Sequence, residues 1–102
     1  MFVGALKKFR DCVRDGKLVV TQHAFEKMND DDLLQIDIKN CVAVGEIVER
    51  QWDKERGEWK YVISGKSTGG EHMEVVLKSG YSGNAVVITT YLVWKNNKQR
   101  NW

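Results

Sequence analysis

Thr21-Gln22-His23-Ala24-Phe25-Glu26-Lys27-Met28 holds the residues best spaced for chemistry. His23 and Lys27 are four apart, so on a helix they share one face, with Ala24 and Met28 on the adjacent apolar face. An imidazole takes or gives a proton near neutral pH, and a lysine one turn away holds an anion beside it. The same residues also fit a plainer arrangement, with His23 capping or packing and Lys27 solvated. Other signatures are missing. The sequence has no Walker loop, GxGxxG, GxSxG or HExxH pattern, and His23, His72, Cys12 and Cys41 lack metal-ligand spacing. No cofactor and no metal are expected. Asp30-Asp31-Asp32 fits the acidic start of a helix better than a calcium loop, whose oxygens alternate more widely.

Helices come first and strands follow. Phe2, Leu6, Phe9 and Val13 recur at helical spacing over residues 2–14, and Gly16 stops that helix. Residues 17–21 read as a short strand, and Thr21 as N-cap of a helix over 22–29. Asp32 with Gln35 matches a capping box for a third helix with Leu34, Ile38, Cys41 and Val42 buried, stopped by Gly45. The period then changes to two. Strands are expected over 47–52, through Trp59, Tyr61 and Ile63, and through Met73, Val75 and Leu77, with His72, Glu74 and Lys78 on the opposite face. Residues 85–94 are apolar or β-branched on both sides, as in a central strand, and alternation puts Tyr91 with Val87 and Thr89. Short glycine-bearing connections imply antiparallel hairpins. The expected fold is α+β: N-terminal helices packed on one face of a curved antiparallel sheet of four to five strands.

Composition bounds the class. The chain has 102 residues, 42% hydrophobic and 29% charged, the balance of one soluble domain over 1–102 rather than a disordered tail. No apolar run is long enough to span a bilayer, and the N-terminal pattern is not that of a secretory signal, so no membrane partner is expected. Cys12 and Cys41 fit buried free thiols in a reducing, cytoplasmic setting better than a disulfide. The net charge of +2 is unevenly spread. Residues 1–53 hold 8 basic and 10 acidic side chains, −2; residues 54–102 hold 8 and 4, +4. Residues 95–102 form a basic tail in which Lys95, Lys98 and Arg100 accompany Trp102, the pairing of cation and aromatic that engages RNA and also that of a solvated terminus. Trp52 and Trp59 flank a charged hairpin and fit packing better than base stacking.

The frame Thr21-x-His23-Ala24-x-x-Lys27-Met28, with Gly45-Glu46-Ile47-Val48-Glu49, Tyr61-Val62-Ile63-Ser64-Gly65-Lys66, Met73-Glu74-Val75-Val76 and Val86-Val87-Ile88-Thr89-Thr90-Tyr91, resembles the bacterial "domain of unknown function 4258" family over residues 18–93. That family's pattern usually carries arginine at the position of Lys27 and often at that of Lys66, so charge is kept while bidentate phosphate gripping is lost. The resemblance implies a fold similar to the RelE and BrnT toxins. It also implies a metal-independent endoribonuclease toxin of a type II pair, held by a cognate antitoxin protein. RNA cleavage of that kind needs a base for the 2′-hydroxyl, cations for the phosphorane and an acid for the leaving 5′-oxygen. On this reading His23 is base or acid, Lys27 and Lys66 hold the phosphate, and Tyr91 donates a proton or hydrogen bond. Lys95, Lys98 and Arg100 then bind RNA. His72 is an exposed residue or a second histidine of an acid–base pair. The alternative is a non-catalytic protein- or RNA-binding module on the same fold.

Overall fold

A computed structural model describes residues 2–96. α1 (Val3–Arg14) buries Phe9 and Cys12 and ends before Gly16, whose φ of 72° suits glycine. Arg10 on α1 donates from Nε to the Val42 carbonyl at 3.0 Å and from Nη2 to the Gly45 carbonyl at 2.7 Å. It thereby satisfies backbone acceptors at the end of α3 (Gln35–Val44).

β1 (Leu18–Val20) leads to α2 (Gln22–Asp30) through Thr21. As expected, Thr21 is the N-cap: its Oγ1 accepts from the Ala24 N–H at 3.1 Å and donates to the Ile88 carbonyl at 3.2 Å. Ala24 and Met28 are the buried face of α2. The third helix starts later than the Asp32–Gln35 pair suggests. Asp32 instead takes a left-handed φ of 54° in the turn, Leu33 is the buried leucine, and Leu34 is exposed as the N-cap residue. The capping carboxylate is Asp37, whose Oδ2 accepts from the Leu34 N–H at 2.8 Å.

β2 (Glu46–Asp53), β3 (Glu58–Lys66), β4 (His72–Ser79) and β5 (Ala85–Leu92) follow as a meander, and a helical turn α4 (Val93–Asn96) begins at Val93, where a longer strand was expected. The sheet order is β1-β5-β4-β3-β2. Three pairs are antiparallel, but β1 runs parallel to β5, with Val19 opposite Val86. The sheet is therefore mixed, not antiparallel throughout. Its first strand pairs with its last, so no hairpin turn constrains their direction. β5 is accordingly second from the edge, not central.

α1, α2 and α3 cover one face. Phe9, Met28, Ile38, Cys41 and Val42 pack there on Ile63, Met73, Val75, Leu77 and Val87. The opposite face carries a smaller cluster, Val62, Val76 and Tyr91, with Ile88 against it. A bulge shifts the β4–β5 register between Val76 and Leu77, so Val76 faces Thr89 while Leu77 faces Val87. Simple alternation would put Val87 and Tyr91 on one face; the bulge separates them. Where α3 meets β3 the backbones nearly touch. A Cβ on Gly65 would stand 2.7 Å from the Cys41 carbonyl oxygen, and one on Gly45 would collide with the Ser64 carbonyl. Both cysteines are free and buried. Burial, with the Glu74 carboxylate adding to it, pushes the Cys41 thiol up to about 12. Trp52 and Trp59 pack edge to face at 5.0 Å, with the Arg50 guanidinium 3.8 Å over the Trp59 ring.

Candidate functional site

His23 is the second residue of α2 and is exposed. The Thr21 bonds to β5 set α2 against that strand, so His23 opens onto the sheet face that the three long helices leave free. Thr21, His23, Val86 and Ile88 line a groove of about 310 Å³ with Arg56, Glu58, Lys60 and Lys78. Lys60 and Lys78 lie on the face of Val62 and Val76 by strand alternation, which aims both toward the groove. Arg56 comes from the β2–β3 turn. Asp53 fixes that turn: its Oδ1 accepts from the backbone N–H groups of Glu55 and Arg56 at 3.1 and 3.2 Å.

Each cation of the groove has a carboxylate partner. Lys78 Nζ is 2.6 Å from Glu58 Oε1, and Lys60 and Arg56 are each 3.3 Å from Asp53 Oδ2. Burial alone would raise the Asp53 carboxyl, but the Arg56 N–H and the two cations outweigh it and hold it below the usual carboxylate range. The pairs fix the lysines in place and leave an excess of cations: Arg56, Lys60 and Lys78 against Asp53 and Glu58, with His23 at the rim. Beyond Arg56, Glu58, Lys78 and Val86 the groove continues into a depression of about 790 Å³ reaching Tyr81, whose ring is fully exposed.

The other expected site residues fall elsewhere. Lys27 lies one turn along α2, half-buried, and is not among the residues lining the groove. Lys66 pairs with His72 at the opposite end of the β3–β4 ladder, and both line a separate cleft. From His72 to Lys78 is six residues of β4, about 20 Å at roughly 3.3 Å per residue. A single phosphate cannot meet both ends. Tyr91 is buried, and its hydroxyl donates to Glu74 Oε1 at 2.7 Å. Lys98 and Arg100 lie outside the described residues, as does the Lys95 side chain. Sequence reasoning missed Arg56, Lys60, Lys78 and Tyr81. The signal was available for Lys60, which shares the face of Val62 by alternation, just as Lys78 shares that of Val76. Among the described residues, no group of three or more His, Cys, Asp or Glu side chains is placed to hold a metal ion.

Three helices on one face of a five-stranded mixed sheet, with a histidine and three ion-paired cations around a groove on the other, define an α+β domain. The family described as "Domain of unknown function (DUF4258)" matches residues 20–92, from the end of β1 through β5, and the chain belongs to it. No curated protein and no solved structure matches the chain. Among the described residues no helix is long and apolar enough to cross a membrane.

Proposed function

We propose that this chain is a cytoplasmic endoribonuclease toxin that binds RNA along the His23 groove and cleaves it by metal-independent acid–base chemistry. The observation that supports this best is that His23 shares one groove with Arg56, Lys60 and Lys78. The His23 imidazole takes the proton of a 2′-hydroxyl, the oxygen attacks the adjacent phosphorus, and the three cations balance the charge that builds on the phosphorane. The leaving 5′-oxygen takes its proton from a facing lysine ammonium. The products are a 2′,3′-cyclic phosphate and a 5′-hydroxyl. Lys27 adds long-range positive charge from α2. Lys66, a strand length away, and Tyr91, engaged with Glu74, take no part in the step. The exposed Leu34 and Ile36 supply apolar surface for an antitoxin of the kind the toxin resemblance implies.

The test is incubation of the purified chain with end-labelled RNA in the presence of a chelator. Cleavage that yields cyclic-phosphate ends, and that His23→Ala abolishes in a folded variant, supports the proposal. One observation favours the alternative, a non-catalytic protein- or RNA-binding module: both lysines are already ion-paired, so each ammonium is held by a carboxylate instead of being poised to protonate a leaving oxygen. RNA binding without any cleavage decides for that alternative.

A further inference from the structure

The cleft at the other end of the sheet carries a different chemistry. Ser64 lies opposite Glu74 and Lys66 opposite His72, so Ser64 and His72 are diagonal neighbours on one face of β3 and β4. Ser64 Oγ and His72 Nε2 are 2.7 Å apart, within the reach of a nucleophile and its base. Both line a cleft of about 590 Å³ with Lys66, Val44 and Val48. Lys66 makes no ion pair among the described residues, so its ammonium is available to a developing negative charge. Val44 and Val48 are 61% and 53% exposed, an apolar wall beside the dyad.

We propose that Ser64 and His72 form a nucleophilic dyad that accepts the acyl group of a small ester with a short apolar acyl chain. The hydroxyl and imidazole project from adjacent paired strands, which hold them in register more firmly than loops would. Ser64 Oγ forms a bond to the ester carbonyl carbon while its proton passes to His72 Nε2. Lys66 stabilises the oxyanion, and the acyl chain rests on Val44 and Val48. The carbon–oxygen bond to the alkoxy group then breaks, and the alkoxide leaves with the proton from His72. Water repeats the path and releases the carboxylic acid. The site is separate from the His23 groove and does not depend on the RNA reading.

A fluorophosphonate probe tests the dyad directly, because Ser64 Oγ displaces fluoride from phosphorus with its proton going to His72. The full chain is incubated with the probe, and the adduct is located by peptide mass spectrometry. The expected result is one adduct, on Ser64, that Ser64→Ala removes and whose rate of formation His72→Gln lowers at least ten-fold. Circular dichroism and RNA binding are unchanged in both variants. No adduct, adducts spread evenly over several hydroxyls, or a His72→Gln rate equal to that of the parent overturns the proposal.

Discussion

Asp37 ties the start of α3 to the β3–β4 turn, and replacing it by alanine removes three hydrogen bonds at once. Its carboxylate accepts from the Leu34 N–H at 2.8 Å, the Thr68 N–H at 2.9 Å and the Thr68 hydroxyl at 2.7 Å. Bonds to a charged acceptor contribute about 1.5–3 kcal/mol each when buried. Leu34 and Thr68 are exposed, so water replaces part of each bond. A value of about 1 kcal/mol per bond, roughly 3 kcal/mol in all, follows for Asp37→Ala, lowering Tm by roughly 12–24 °C in a domain of this size. Asp37→Asn keeps one acceptor oxygen and is expected to lose about half as much. Acid has the same sign. Burial alone would raise the Asp37 carboxyl, but the Leu34 N–H and both Thr68 donors overcome it and hold it below its ordinary value of 3.8. Its contribution is therefore complete above the unfolded-state value and is lost as pH falls through the folded one. Urea unfolding of parent and variant from pH 7 to pH 2 measures both effects. A loss below about 1 kcal/mol at pH 7, or a difference that does not shrink in acid, refutes the reasoning.

Other perturbations are as direct. Gly65→Ala forces a Cβ to 2.7 Å from the Cys41 carbonyl oxygen, and is expected to cost about 1–3 kcal/mol in urea unfolding. Tyr91→Phe removes the hydroxyl bound to Glu74 and is expected to cost about 1–3 kcal/mol while leaving RNA cleavage intact wherever the variant is folded. Abolished cleavage in folded Tyr91→Phe would return Tyr91 to the reaction. Lys78→Ala is expected to weaken RNA binding and to lower the slope of log affinity against log salt by about 1 in a fluorescence titration. Cys12 and Cys41, both buried, are expected to resist iodoacetamide in the native chain and to react on unfolding.

Most elements were legible because their signals are local. The 3.6 period of Phe2, Leu6, Phe9 and Val13, the Thr21 cap and the alternation of Trp59, Tyr61 and Ile63 each depend on neighbours in the chain. What escaped depends on distant partners. The parallel β1–β5 pair joins the two ends of the fold, and no local pattern specifies its direction. The β5 bulge is a mismatch between two strands, so alternation within β5 alone misplaces Tyr91 relative to Val87. The Asp32–Gln35 pair matched a capping box by spacing alone, whereas the carboxylate that caps α3 is Asp37, which Thr68, far along the chain, also binds. The site divides in the same way. His23 was legible as a candidate proton-transfer residue near the start of a capped helix, whereas Lys60 and Lys78 face it only because α2 packs on β5. Gly65 lies within β3, and the close approach that requires it comes from the Cys41 carbonyl on α3, distant in the chain.

The proposed reaction is cleavage of RNA by His23 among Arg56, Lys60 and Lys78. The decisive measurement is chelator-treated, end-labelled RNA incubated with the parent chain and with His23→Ala, the fold of each followed by circular dichroism. Cyclic-phosphate products are expected from the parent and none from the folded variant. Equal cleavage by both, or cleavage by neither, contradicts it.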